Sequence, residues 1–446
     1  MLRAIGFALV SVWLLAATPA HAQDDSVERV RIRGSQTLAS GLVPAVASSW
    51  LRDIGYGDIR VVRKGATLTE IHAVRDEVPL IVEIGASSSA QGFTDLVDGN
   101  TQVAMMTRRP TAAELDAGWQ LGDLASQDQE FVLALDGVAV VVNQRNPIAG
   151  LSLAQLQRIF AGQVRDWREV GGAAGTLKLH VARRRGAAHD LIDERVMRGA
   201  RWAPAQAHAD VRSLLAAVAT DERAIGFVDL QQALPAGVRP VALSEGGRAI
   251  APTQIAVMSE DYPLTRRLYL YGSQMMGALA RSFALYAMTL PGQHAVERAG
   301  YRAVTLRPGR AVATQTGPVD YRQLVRDAVR VPLSLRFNFA GNNDSGVAAS
   351  VYDSRSVRDI ERLAALMRQP GLSDRSLIVI GFADVGAGSP AAAMMMSNDR
   401  ADLVAHELMA LGTRVVHARG MGALLPLMRS TGDARYRNER VEIWLR

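Results

Sequence analysis

The 446-residue sequence contains no cysteine. That excludes disulfides, thiol nucleophiles and cysteine-ligated metal centres. It also excludes a lipid-modified N-terminal cysteine as a membrane tether. Lysine is almost absent: only Lys64 and Lys178 occur, so nearly all of the 50 basic residues are arginine. Aromatic residues make up 5% of the chain, and no basic stripe interleaves with them as a nucleic-acid interface would require. The formal charge of +6 is modest for this length. Long apolar runs are also missing after residue 18. The best later stretch, "MMGALARSFALYAMTLPG", is broken by Arg281 and ends in Pro291-Gly292, so no transmembrane segment is expected in the mature chain. The Gly-x-Ser-x-Gly and His-Glu-x-x-His patterns do not occur, and no paired carboxylates suggest a two-metal site. No catalytic residue, metal or cofactor is expected.

The N-terminus carries Arg3, the apolar run "AIGFALVSVWLLAAT" and then "AHA" at 20–22. This is the pattern of a secretory signal cleaved after Ala22, and it predicts a periplasmic protein. From 28 to about 305, short apolar runs ("VERVRIRG", "IVEIG", "VAMMT", "GVAVVVN", "LKLHVA", "AIGFVDL") alternate with helical stretches such as "LVPAVASSWLRDIG" and "LSLAQLQRIFAG". The alternation predicts an α/β fold with parallel strands. Residues 306–330 lack sustained strand character and read as a connector. A smaller α+β unit is expected over 331–446. "LSLRFNF" and "RVEIWLR" alternate as half-buried strands. Val357, Ile360, Leu363, Leu366 and Met367 share a helical face. Met394–Met396 are expected to serve packing.

The loop "GSQTL" at 34–38 places two hydroxyls beside a glycine ahead of a helix, a setting that suits an anion. "GASSSAQGFTDLVDGNTQVAMMTR" at 85–108 is a second Ser/Gly-rich loop. With "DGVAVVVNQRNPIAGLSLAQLQRIFAGQVRDWREVGG" (136–172), "AIGFVDL", "YPLTRRLYLY" and "PGQHAVERAGY" in order, residues 23–305 resemble the PstS-like phosphate-binding receptors of ABC importers. The resemblance implies a two-lobed, type II-like periplasmic binding protein fold, phosphate or a similar oxyanion as ligand, no enzymatic activity, and an ABC permease as a partner. It also implies anion contacts from Thr37, the Leu38 backbone, one of Ser87, Ser88 or Ser89, and Arg183. Arg108 stands where some relatives carry an aspartate and would add a fork of donors. The facing wall departs from the family: Ala187-Ala188-His189 replaces a Ser-Gly-Thr loop. Two lost hydroxyl donors forfeit about 3–6 kcal/mol, roughly 100- to 10,000-fold in affinity. His189, once protonated, is a compensating donor if it faces the cleft.

The C-terminal unit resembles the OmpA-like peptidoglycan-binding domain in "IGFADVGAG" (380–388), "MSNDRADLVAHELMALG" (396–412), "ARGMGALLPL" (418–427) and "RNERVEIWL" (437–445). The resemblance implies that Asp384 and Arg400 grip the ammonium and carboxylate of a diaminopimelate residue, with Asn438 and Arg440 lining the site. It sets Arg400 at the start of a long helix. Phe382-Ala383 stands where the family has His-Thr. A cell-wall anchor is expected from this unit. The alternative is a structural envelope protein whose cleft has lost phosphate or serves another ligand.

Overall fold

The computed structural model describes residues 27–183, 186–307, 317–339, 350–384, 388–429 and 437–446. The expected export signal at 1–22 lies outside them, as do Arg184 and Arg185, 308–316 of the expected connector, and 385–387 of the "IGFADVGAG" segment. The strands of the first unit are β1 (Glu28–Ser35), β2 (Gly57–Lys64), β3 (Leu68–Arg75), β4 (Val78–Ser87), β5 (Val103–Met106), β6 (Glu130–Asn143), β7 (Gly150–Ser152), β8 (Lys178–Ala182), β9 (Gln206–His208), β10 (Ala224–Asp229), β11 (Val238–Pro240), β12 (Ala242–Ser244) and β13 (Thr265–Gly272). Its helices are α1 (Val43–Asp53), α2 (Ser89–Val97), α3 (Ala112–Ala117), α4 (Leu153–Phe160), α5 (Ala187–Ile192), α6 (Val211–Thr220), α7 (Gln254–Met258), α8 (Ala278–Met288) and α9 (Leu290–Arg298).

One continuous mixed sheet runs β2-β3-β4-β1-β5-β13-β6-β10-β8-β9, with β11 paired to β6. The expected parallel pairs are present: β1 with β4 and β5, and β8 with β9 and β10. Antiparallel pairing interrupts the expected parallel strands in two regions, the β2–β4 edge and the strands around β6 and β13. β2, β3 and β4 form antiparallel hairpins, where only β4 was visible as a run. The outer strand β2 is exposed along nearly its whole length, so it lacks the apolar alternation that marks a half-buried strand.

The second departure creates the two lobes. β6 is buried throughout and passes from one lobe to the other. β13 runs antiparallel to it from Thr265–Gly137 to Tyr271–Glu130. The first half of β6 and the second half of β13 pack in a core with Val30, Leu42, Trp50 and Phe283; the second half of β6, with Tyr262 and Leu264 just ahead of β13, packs with Leu156, Phe160, Trp167 and Phe227. Two strands cross between two cores, and the cleft lies between them.

The second unit adds α10 (Val319–Leu324), β14 (Val329–Phe339), β15 (Ser350–Tyr352), α11 (Ser354–Met367), β16 (Leu377–Phe382), α12 (Pro390–Ala410), β17 (Val415–Gly420) and β18 (Arg440–Leu445). Its sheet order is β15-β14-β18-β16-β17. The expected connector 306–330 is therefore structured over its C-terminal part. Tyr321 of α10 is buried against Phe382 and Trp444, and its hydroxyl donates to Glu442 (2.8 Å). α12 begins at Pro390, earlier than its motif suggested, so Arg400 sits mid-helix and not at its start. Met394 and Met395 are largely exposed, contrary to a packing role.

The second unit is docked on both lobes through buried charge. Arg355 pairs with Glu260 and with Asp359 (3.1 Å). Asp353 accepts from Arg267 (2.7 Å), and Ser354 donates to Glu130. Arg330 and Arg336 both reach Asp261 (3.3 and 3.4 Å). Arg437 donates to the carbonyls of Glu260 and Tyr262, and Leu427 packs inside the second lobe's core. Glu260 is held in the left-handed region (φ +58°) at the centre of this network. Burial alone would raise its pKa, but Arg267, Arg355 and Arg336 outweigh that and hold it down.

Candidate functional site

The sequence places loops and helix starts at the cleft because the parallel strands end there. β1 ends at Ser35, and the chain turns through Gln36-Thr37 into a π-turn over Leu38–Leu42 that leads into α1. Gly34 permits this turn at a crowded point. Its φ is +135°, and a Cβ there would lie 2.2 Å from the Met105 carbonyl. Gly92 of α2 packs against it, so α2 lies close to the β1 loop.

The predicted contact residues have varied partners: those of the β1 and β4 ends lie in the first lobe, and Arg183 lies past β8 in the second. The Thr37 carbonyl accepts from the Tyr301 hydroxyl (3.2 Å). Leu38 is buried, so its side chain serves the core. Ser88 caps α2, accepting from the Gln91 N–H (3.1 Å). Ser89 Oγ accepts from the Thr107 N–H (3.1 Å) and lies 3.2 Å from the Thr107 hydroxyl. Ser87 donates weakly to the Ser88 carbonyl (3.4 Å). Arg183 is exposed just past β8, where its N–H donates to the His208 carbonyl (2.7 Å).

Two expectations are corrected. Arg108 does not offer an unoccupied fork. Its two terminal nitrogens clamp Glu114 at 2.7 and 2.8 Å, and Glu114 also closes the capping box of α3. That clamp holds the Glu114 carboxyl down at about 2. His189 does not face the cleft: it is buried with its ring against Trp202 and Phe227.

The rebuilt wall has its own organisation, which sequence reasoning missed. Arg266 from β13 is nearly buried and grips Asp136 through Nε (3.1 Å) and Nη2 (2.8 Å). The same Nη2 donates to the Ala187 carbonyl (3.3 Å), tying β13 to the α5 start where the hydroxyl loop is absent. Gln231 donates to the other Asp136 oxygen (3.1 Å). Nearby Asp229 is pushed up to about 6 by burial, reinforced by Asp136.

A cavity of about 220 Å³ separates the lobes, with Thr107 and Arg108 on one side and Leu191 and Glu194 on the other. Thr265 and Arg266 contribute to its lining. The Thr265 hydroxyl is buried and has no hydrogen-bond partner among the described residues. Such a group is costly unless something binds it. Both residues lie in "YPLTRRLYLY", and their only signal was polar character inside a strand otherwise rich in apolar residues.

The residues expected in the second site each have buried partners. Asn438 donates to Asp384 (2.6 Å), Arg400 pairs with Glu439 and donates to the Phe382 carbonyl (3.4 Å), and Arg440 stacks over Phe382 (4.0 Å). Asp384, Arg400, Asn438 and Arg440 are all buried. Glu439, inside the quoted "RNERVEIWL" motif, was not singled out from the sequence.

Comparison with known proteins places this arrangement. A PstS phosphate-binding protein of Staphylococcus saprophyticus is 25% identical over 250 residues, covering 53% of this chain and 77% of the relative. Its counterpart in Staphylococcus aureus is 24% identical over 231 residues, covering 50% and 69%. A crystallised ABC-type phosphate transport receptor from Vibrio cholerae aligns over 62% of this chain and 99% of its own, at 20% identity and a TM-score of 0.49. PstS from Borrelia burgdorferi aligns over 62% and 98%, at 17% identity and a TM-score of 0.49. The family model described as the PBP superfamily domain matches residues 19–289, and with two lobes joined by crossing strands and a cleft at the strand ends, this chain belongs to the PBP superfamily.

Proposed function

We propose that this protein is a periplasmic, non-enzymatic receptor for phosphate or a similar oxyanion, anchored to peptidoglycan by its C-terminal unit. The observation that carries the first half is the cavity between the lobes, lined by the orphan Thr265 hydroxyl and by Arg266. Relatives named for phosphate binding support the choice of ligand. An oxyanion there accepts from Thr265 and draws Arg266 into contact while Asp136 keeps its Gln231 bond. Thr107 lines the cavity opposite them, and in this reading Thr37, the Leu38 backbone, one of Ser87, Ser88 or Ser89, and Arg183 complete the anion contacts, as the resemblance implies. The resemblance implies an ABC permease as the partner that receives the anion. Cleavage after Ala22 and residence in the periplasm belong to this reading. So does the division into a receptor over 23–305 and an OmpA-like domain over 331–446.

The anchoring half rests on Asp384, Arg400, Asn438 and Arg440, grouped as the OmpA-like resemblance implies. Arg400 is engaged by Glu439, so wall peptide must displace that carboxylate to reach it.

A second reading is favoured by a specific feature of the cleft: Arg108 and Arg266 are each clamped by a carboxylate. In that reading the protein organises the envelope and the cleft serves another ligand. Isothermal titration of phosphate, then sulfate, into the full chain stripped by partial unfolding separates the two. Saturable binding supports the receptor; no heat at millimolar anion favours the second reading. Co-sedimentation with purified sacculi, lost in Asp384→Ala, tests the anchor; a chain that stays in the supernatant overturns it.

A further inference from the structure

A second cavity, of about 410 Å³, opens away from the cleft, where the C-terminal unit meets the second lobe. Its wall is built jointly. Met428 bridges to Glu245 and Gly246 as isolated β-pairing, and the Arg429 N–H donates to the Glu245 carbonyl (3.0 Å). Gly246, at φ +94°, makes room: a Cβ there would lie 2.1 Å from Arg429 Cγ.

The charges of this cavity do not balance. Arg195, Arg198 and Arg429 face one carboxylate, Glu245. Glu245 is shared among Arg195 (3.8 Å), Arg198 (3.4 Å) and Arg437 (3.5 Å), all loose contacts. Arg437 is committed to the carbonyls of Glu260 and Tyr262. Leaving it aside, the lining among the described residues carries three guanidinium groups against one carboxylate, a surplus of two positive charges. The opening turn of α4 lies in the same wall at Leu153 and Ala154, and its partial positive charge adds to the surplus. Leu153, Ala154, Val196 and Met428 supply apolar surface between the charges. The volume falls in the range of small-molecule sites.

We infer that this cavity binds a small organic dianion, its two negative charges held by Arg198 and Arg429 and its short apolar body resting on Leu153 and Met428. The inference does not depend on phosphate binding in the cleft. Because the site exists only while the two units are docked, the ligand stabilises the docked state by mass action. Two chemistries carry the required charges, a dicarboxylate and a phosphate monoester, and guanidinium forks suit both.

The test titrates succinate and glycerol 3-phosphate separately into the full chain, wild type and the variants Arg198→Gln and Arg429→Gln. Arg195 is left intact because it also lines the cleft. Both variants change exposed arginines and leave the core untouched. The expected result is one-site binding of at least one probe, weakened about tenfold or more in each variant, since a hydrogen bond to a charged group is lost. Which probe binds identifies the class. Thr265→Val is the control for binding in the cleft and should leave this affinity unchanged. No saturable binding of either probe, or binding that survives both arginine changes, overturns the inference.

Discussion

At the scale of single residues, the cleft is governed by Arg266, Asp136, Asp229 and Thr265. Asp229 sits beside Asp136 and titrates near 6. Its pKa lies above the ordinary 3.8, so the folded state binds the proton more tightly than the unfolded chain. The stability it contributes is full below about 4 and is lost as pH rises through about 6. Asp229→Asn should remove that part of the slope in a thermal-melt series from pH 4 to 7. Protonation also removes a negative charge facing a bound anion. Phosphate affinity should therefore fall more steeply between pH 5 and 7 in the wild type than in Asp229→Asn, measured by titration at each pH. Equal slopes would place Asp229 outside the site. Gly92→Ala tests the close approach of α2 to the β1 loop. The new Cβ would lie 2.5 Å from Gly34 Cα and 2.8 Å from the Arg33 carbonyl. Overpacking of this kind costs about 1–3 kcal/mol, readable as a lower midpoint in urea.

At the scale of elements, α11 shows what the sequence revealed and what it concealed. Its apolar positions Ile360, Leu363, Leu366 and Met367 do face their own core. Its polar N-terminal residues look like a solvated face, yet Ser354, Arg355, Ser356 and Asp359 are buried, with Ser354 on Glu130 and Arg355 on Glu260 of the first unit. Periodicity identifies which face is apolar, but it is silent on whether the polar face meets water or complementary charge. The cleft follows the same rule. Thr37 and Ser88 were visible because hydroxyls beside glycine at a strand end have a local signature. Arg266 was not, because its meaning depends on Asp136 far away in sequence. Arg108 misled for the same reason: nothing in the sequence marks Glu114 as its partner. Breaking a buried pair is costly, so Arg355→Ala should destabilise the protein by about 3–5 kcal/mol in denaturant melts. Arg168→Ala removes an exposed pair with Asp166 and should leave stability nearly unchanged. Equal effects would mean that the buried network contributes no more than a surface pair.

At the scale of the whole molecule, the C-terminal unit is a fixed third body, not a domain on a loose tether. It holds the first lobe through Glu130 and Arg109, the crossover through Glu260–Pro263, and the second lobe through Glu245. Binding proteins of this architecture close by rotating their lobes about the crossing strands. Here a rigid unit spans those strands, so lobe motion and docking are linked. Asp353 and Glu442 are held below the ordinary carboxylate range, Glu442 at about 2, because paired arginines outweigh burial. With pKa values lowered on folding, their stabilisation is present above about 4.5 and is lost as pH falls further. Glu442 pairs within its own unit, whereas Asp353 pairs with Arg267 and Arg109 of the first, so acid should loosen docking through Asp353, which small-angle scattering at pH 3 and pH 7 would register as expansion. This is opposite in sign to the contribution of Asp229.

The central claim is that the cleft holds an oxyanion through the wall formed by Thr265 and Arg266. The most direct test compares phosphate titrations of wild type and Thr265→Val. The isosteric change removes the orphan hydroxyl without leaving a new partner unpaired. The account predicts unchanged or higher thermal stability and phosphate affinity weakened by about tenfold or more. Phosphate binding with the same affinity in both proteins would contradict it.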